Sequence, residues 1–452
     1  MSLNTSLTTA LSSLSAFTAA IENTSNNIAN ANTPGYTRKI AVLSEAAPTE
    51  NGGGTGVVLQ GYESIRDGML QGQIQAQTQE QSKSNTELSA MQQVQPAFTT
   101  SAQDIGTQMS SLFSSVSALS TNPGSTASRQ AFLAAANGVA NAFHATSSAV
   151  KSQQVALNAQ VSDTVTQINS LTQQIAALNP QIQSLQTSGK DASAAQDQQD
   201  QLILKLSGLT NVGITQADGS ITVTTGNGTA LVAGSHSSAL QATLGPGGVE
   251  QVLDDNGEDI TSSITGGTLG GAINTRDNVL AGLASKLDTL ASQFGTAMNQ
   301  ANASGFDQNG QAGQRIFQLP TTSTDAAAQI SVAISDPALI AASSDGSSGS
   351  NGNLARFSAI ESTALPAGQK PTDTYASLVF TVGSVTANAN ANVNAASASL
   401  TQLNNQRNST SGVSIDEESV NLISYQQAYS AAARVVSTIQ TLFQVTLSMG
   451  TN

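Results

Sequence analysis

The chain contains no cysteine. That excludes disulfides, a thiol nucleophile and cysteine-ligated metals, and it makes an oxidising environment harmless. Tryptophan is absent too; aromatics make up 4% of the 452 residues and charged side chains only 10%. Any core must then be built from Ala, Leu, Val and Ile, with Ser, Thr, Asn and Gln supplying weakly charged polar faces. Basic residues are scarce, 15 against 29 acidic ones, for a net charge of −14. Nucleic acid is disfavoured, because binding it needs clustered Lys and Arg to displace counterions. Anionic membranes are disfavoured on the same ground. No window of about 20 residues is apolar enough to span a bilayer. The N-terminus lacks a basic patch followed by an apolar run, so no ordinary signal peptide is expected, and these features alone place the chain in the cytosol.

What is present begins with the first forty residues. Leu3, Leu7, Ala10, Leu14, Phe17, Ile21 and Ile28 advance by threes and fours, skipping only around Thr24 and Ser25. This is the stripe of a helix that packs along a partner. It runs into NNIANANTPGYTR (26–38), where Asn30 and Asn32 tolerate left-handed backbone and Thr33 precedes a proline. Pro34-Gly35 suits the centre of a type II turn. Nothing nearby can cover the stripe. The opposite end supplies a mate: 411–447 opens with a possible capping box, Ser414 to Glu417, and continues with Leu422, Tyr425, Tyr429, Ala432, Val436, Ile439 and Phe443 at the same spacing.

Between them, length allows two or three domains. Residues 40–62 are expected as short extended pieces around a flexible glycine-rich loop. Gly52–Gly56 is no phosphate cradle, since no Gly-Lys-Ser/Thr follows. A Gln-rich helical tract is predicted from Arg66 towards Ser120, ended by Asn122-Pro123-Gly124, and another helix from Ser128. That helix leads into 150–186, where Ile168, Leu171, Ile175, Leu178, Ile182 and Leu185 keep a heptad. Pro180 predicts a kink or break near Asn179, because interior proline costs about 3 kcal/mol. A short helix is expected at 197–206. From Asn211 the period changes: alternating segments separated by Asp218-Gly219, Asn227-Gly228 and Asn256-Gly257 predict hairpins and one small β-domain. Helix returns at 272–302. Residues 303–358 are expected to be irregular, with a strand at QISVAIS and a mobile loop at 343–353, before a helix from Thr372 to Asn408.

No catalytic constellation emerges. His144 and His236 lie far apart, without Cys or carboxylates at ligand spacing. LDDNGEDI (253–260) lacks a calcium loop's glycine, since the sixth position from Asp254 is Asp259, and a hairpin turn explains it better. FDQNGQAG (306–313) places Asp307 and Asn309 for a cation but lacks the distant glutamate. A polar turn is the safer reading there, with weak ion binding left open. No carboxylate pair is singled out. No catalytic residue, cofactor or metal is expected.

NNIANANTPGYTR and VNLISYQQAYSAAARVVSTIQTLF resemble the N- and C-terminal signatures of bacterial flagellar axial proteins: rod, hook and hook-associated. QINSLTQQIAALN (167–179), DQQDQLILKLSGLTNV (197–212), GGTLGGAINTRDNVL (266–280) and NQANASGFDQNGQAG (299–313) are similar to the hook-associated protein 1 (hook–filament junction) branch. The resemblance implies a mainly α fold with a small inserted β-domain, a long helical-bundle core domain, and terminal helices pairing as a coiled coil. Expected units are an axial-core helix and turn at 1–40, helical core at 41–210 and 268–411, a β-domain at 211–267, and a C-terminal axial-core helix at 412–452. The implied function is structural and non-enzymatic: self-assembly into the connection between hook and filament. Implied partners are adjacent subunits, hook protein, the next hook-associated junction protein and an export chaperone on the C-terminal helix, with export by the flagellar type III apparatus to an extracellular location. Candidate assembly residues are Leu3, Leu7, Leu14, Phe17, Ile21, Ile28, Asn30, Pro34, Gly35, Tyr36, Leu422, Tyr425, Tyr429, Val436, Ile439 and Phe443. Alternatives are a hook or distal rod protein, disfavoured by the helical middle, or a secreted enzyme or adhesin whose activity would have to reside in 211–265.

Overall fold

A computed structural model of the chain describes residues 3–47, 56–217 and 219–450. Most of the glycine-rich loop and Asp218 of the Asp218-Gly219 turn lie outside those residues. The first helix, α1 (Leu3–Ala29), ends where the asparagines begin. Tyr36 N–H closes a turn on Thr33 O at 3.1 Å with Gly35 at φ 81°, the type II turn that Pro34-Gly35 predicts. The expected extended pieces form one antiparallel hairpin, β1 (Lys39–Glu45) and β2 (Val57–Ser64), lying against α1.

The Gln-rich tract is two helices rather than one. α2 (Gly68–Val94) is capped by Asp67, whose carboxylate accepts from Met69 and Leu70 N–H, and it tightens into a 3₁₀ turn over Gln95–Phe98. Pro96 has no N–H to continue the ladder, and α3 (Ile105–Thr121) restarts with Asp104 as its own cap. α4 (Thr126–Thr187) then runs 62 residues. The break expected at Pro180 does not occur. Pro180 is exposed and still forgoes its own helical hydrogen bond, but Leu178, Asn179 and Ile182 around it are buried, and that packing holds the helix together across it. α5 (Ser193–Leu209) folds back against α4 and α2.

The β region comprises two small sheets. β3 (Val212–Ala217), β4 (Ser220–Thr225), β5 (Ala230–Ala233) and β6 (His236–Ser237) pair antiparallel in that order; β7 (Gln241–Leu244) and β8 (Glu250–Leu253) form a separate hairpin. The last alternating segment, EDITSSI (258–264), adds no further strand: Asp259 makes an isolated bridge to Leu253 and Thr261–Ser263 is a 3₁₀ turn. Both sheets lie on α4 through three of its asparagines. Asn179 donates to Ile221 O (2.8 Å) and Gly234 O (2.7 Å) and accepts from Ile221 N–H. Asn169 brackets Leu240, and Asn158 brackets the β7–β8 turn.

Helix resumes as α6 (Gly267–Asn274), passes through a π-helical turn at Thr275–Leu280 and continues as α7 (Ala281–Ala303). Gly271 lets α6 approach α2, since a Cβ there would lie 2.6 Å from Lys83 O. The next stretch holds β9 (Phe317–Gln318), α8 (Ala326–Gln329) and β10 (Ser331–Val332), so QISVAIS contributes only a two-residue strand. The loop expected to be mobile is tied down: Asn353, fully buried, donates to Ala301 O and Ala341 O, and Asn351 donates to Ser120 O. α9 (Leu354–Ser362) and α10 (Pro371–Ser411) follow, α10 packing along α2. Stacked edges such as Phe113 on Phe294 and Phe132 on Phe357 knit α3, α7, α4 and α9 into one core. The last helix, α11 (Ile415–Gly450), returns to α1. The chain is thus mainly helical with a small β insertion and paired ends.

Candidate assembly site at the paired terminal helices

α1 enters and α11 leaves the same polar cluster, so the two terminal helices run antiparallel. Asn27 is its centre. This fully buried side chain donates to Lys39 O (2.8 Å) and Glu418 Oε2 (3.1 Å) and accepts from Tyr36 Oη–H (2.8 Å) and Lys39 N–H (3.1 Å). All four hydrogen-bonding positions of the amide are used. Asn23 donates to Lys39 O as well. Glu418, 2% exposed, takes Arg38 Nε at 2.7 Å, and Glu417 takes Arg38 Nη1 at 2.9 Å. Glu417 N–H meets Ser414 Oγ at 3.4 Å, so half of the capping box forms; its other half is diverted because the Glu417 carboxylate holds Arg38. Arg38 N–H also donates to Ser411 O.

The paired helices join the helical domain through an ionic seam. Lys39 pairs with Asp191 at 3.0 Å, Arg66 with Asp197 at 2.6 Å and with Asp200, and Gln201 donates to Pro34 O at 2.9 Å. A Cβ at Gly35 would collide with Gln201, and its positive φ already disfavours other residues. Burial, followed by Asp197, Asp191 and Glu418, pushes the Tyr36 phenol up to about 12. Burial also raises Asp191, but hydrogen bonds from Ser193 and Lys39 outweigh it and hold that carboxyl below its usual range. Asp200 moves the other way: burial raises it more than Arg66 lowers it.

On α1 the predicted residues Leu3, Leu7, Leu14, Phe17, Ile21 and Ile28 are half-buried, and the fully buried face is Ala10, Ala16, Ala20, Asn23, Thr24 and Asn27. Small side chains let the hairpin and α11 approach closely, which moves the large ones to the flank. The gap around Thr24 and Ser25 is therefore filled by polar burial. Pro34 is exposed, Asn30, Gly35 and Tyr36 half-buried. On α11, Leu422, Tyr425 and Val436 are half-buried, Ile439 is buried, and Tyr429 and Phe443 are exposed. Val420, Ile423, Val435, Leu442, Val445 and Met449 are exposed as well. Asn23, Asn27, Arg38, Arg66, Asp197 and Glu418 were not singled out by the hydrophobic period. The available signal was charge: Arg38-Lys39 after the turn and Asp416-Glu417-Glu418 opening the last helix are conspicuous in a chain with so few charges.

Elsewhere, His144 Nε2 meets Ile330 O at 2.6 Å, and His236 is exposed beside Ser235. Asp254 and Asp307 each accept two backbone N–H groups of their own turns. Among the described residues no group of three or more His, Asp or Glu is placed to hold a metal ion, and no helix is long and apolar enough to cross a membrane.

A model of the helical domain of the flagellar hook-associated protein FlgK matches residues 91–317. Flagellar hook-associated protein 1 of Bacillus subtilis is 30% identical, covering 95% of each chain. The chain belongs to the flagellar hook-associated protein 1 family. Its relative of that name in Escherichia coli is 27% identical over 97% of this chain and 98% of its own length. Models of the flagella basal body rod protein and of the rod FlgEFG protein C-terminal region match residues 7–37 and 404–449, the two helices that meet at Asn27. The flagellar hook junction protein FlgK from Burkholderia pseudomallei shares the fold, with a TM-score of 0.67 at 18% identity over 75% of this chain and all of that one. Membership makes this chain a structural component of the bacterial flagellum that associates with other axial proteins. The match at 91–317 selects the hook-associated branch over hook or rod.

Proposed function

We propose that this chain is a non-catalytic subunit of the hook–filament junction that assembles with copies of itself through its terminal helices. The observation that carries the reading is α11. It is tethered at its base by Glu418, pairs along one side with α1, and leaves Val435, Leu442, Val445 and Met449 open to solvent. Burying one such side chain contributes about 1.5–3 kcal/mol, so a neighbour that covers several gains enough to order the ends. In this reading the axial unit comprises 1–40 and 412–452, the helical core 41–210 and 268–411, and the β-domain 211–267 faces outward. The predicted stripes on α1 and α11 are the surfaces neighbours cover, and the Pro34-Gly35-Tyr36 turn directs the chain away from the axis. Hook protein lies on one side and the next junction protein on the other. The chain leaves the cell through the flagellar type III apparatus, a chaperone holding α11 beforehand. Deleting the gene tests this: cells should carry hooks without filaments and lose flagellin to the medium. Normal filaments on the deleted strain would sink it.

A further inference from the structure

Beside the terminal pair, where the Pro34-Gly35 turn meets the first turns of α2, α5 and the last turns of α10, lies a cavity of about 320 Å³. Its floor is apolar: Leu70 and Ile74 are buried, and Leu204 is 36% exposed. Two cations stand on its rim, Lys205 and Arg407. Neither belongs to any ion pair among the described residues, and Arg407 Nη2 makes one long contact to Gly35 O at 3.4 Å. Asp200, which also lines the cavity and attracts Arg407, is paired directly with Arg66. With Arg66, these cations outnumber the acids of the lining, Asp67 and Asp200, by three to two, and in a chain carrying −14 such a lining beside apolar side chains selects an acid flanked by apolar ones.

The same chain presents such a face. Asp416 is exposed, and steps of four and three put Val420 and Ile423, 64% and 55% exposed, on its side of α11. Asp416 makes none of the described ion pairs, unlike Glu417 and Glu418, which Arg38 holds. Groove and face lie close along the chain, because Ser411 lines the cavity and Asp416 follows five residues later. A neighbour related by rotation about an axis along the terminal helices would set its face against this groove, a heterologous contact that repeats around the axis. The cavity is at the lower end of the 300–1,000 Å³ that holds a drug-sized ligand, room for a few side chains and not for a whole helix.

We propose that this groove receives Asp416, Val420 and Ile423 of a neighbouring copy, with the carboxylate on Lys205 and Arg407. The proposal rests on the junction-subunit reading. The test places p-benzoylphenylalanine at position 204 of the full chain, expressed in cells lacking their own copy. Isolated hook–filament structures are irradiated, and the captured peptide is identified by mass spectrometry. Expected is a cross-linked dimer joining position 204 to the 415–424 region of a second copy, absent when the dilute purified chain is irradiated. Capture of another flagellar protein, of a different segment, or of nothing while the chain is incorporated overturns the docking and leaves the junction reading standing. If even the unsubstituted chain is missing from hook–filament structures, the junction reading falls and the docking with it. Should only the substituted chain fail to incorporate, Lys205→Glu and Asp416→Lys decide: each alone should shed filaments and the pair together should retain them, and no rescue overturns the proposal.

Discussion

At the residue scale, the joint between the ends of this chain depends on one amide. Asn27 has no exposed surface and satisfies Glu418, Tyr36 and both backbone groups of Lys39. Alanine there would strand these partners, and each buried group left unpaired costs about 1–3 kcal/mol. Asn27→Ala should therefore destabilise the α1–α11 pair by about 3 kcal/mol, seen as faster amide exchange in residues 20–29 with the helical domain unchanged. Unaltered exchange would mean that packing alone holds the pair. The neighbouring phenol gives a pH-dependent readout. Tyr36 is raised from 10.0 to about 12 in the folded chain, so its proton is held more tightly folded than unfolded. Its contribution is fully present below pH 10 and is lost as pH rises from 10 to 12. Tyr375, also raised to about 12 by burial and Asp104, adds to the same window. Stability should fall across that window in an alkaline titration, and Tyr36→Phe should flatten the fall; an identical slope in the variant would exclude Tyr36 as a cause.

At the element scale, α4 is the spine on which the β sheets hang, and Asn179 is the attachment that matters most. It is 1% exposed and bonds Ile221 twice, Gly234 once and Gln199 once. Asn179→Ala should loosen 212–237 from α4, costing about 3 kcal/mol by the same argument and speeding proteolysis there while 105–175 stays resistant. Uniform resistance would show that Ile221, Val223, Leu231 and Val232 anchor the sheet by apolar burial alone. This site also marks where sequence and structure part. Pro180 forecast a break, because propensity counts the lost hydrogen bond and not the tertiary packing of Leu178, Asn179 and Ile182 around it. Pro96 did end its helix, in a tract expected to be continuous, because that proline lies at a 3₁₀ turn with Phe98 buried beneath it. Hairpin turns at Asn227-Gly228 and Asn256-Gly257 were legible, since a positive φ is a local demand that glycine announces. Which face of α1 is most buried was not legible. Hydrophobic spacing marks where large side chains recur, whereas Ala16, Ala20 and Asn27 are buried because small residues let a hairpin and a second helix approach. The clamp was hidden for a related reason: Arg38 and Glu418 are 380 positions apart, and no local pattern pairs them.

At the scale of the whole molecule, stability is unevenly distributed by design of the sequence. The helical domain holds nearly all large buried side chains, among them Phe98, Phe132, Phe143, Phe294, Phe317 and Phe357. The terminal pair holds alanines, a polar clamp and one buried isoleucine, Ile439, beyond which residues 440–449 are all exposed. Ordering a residue costs about 1–2 kcal/mol of backbone entropy, and last turns whose apolar side chains are at best partly covered offset it poorly. Folding of the ends is therefore expected to couple to the arrival of a neighbour. Hydrogen exchange on a verified monomer gives the decisive measurement. Protection should be greatest at the clamp, in 20–29 and 415–425, and should decline in both directions away from it, to the fastest exchange at 3–9 and 440–450. In isolated hook–filament structures the same ends should become protected along their length. Uniform strong protection out to residue 450 in the monomer would refute the coupling, because the apolar side chains exposed on α11 would then need no partner to keep the helix in place.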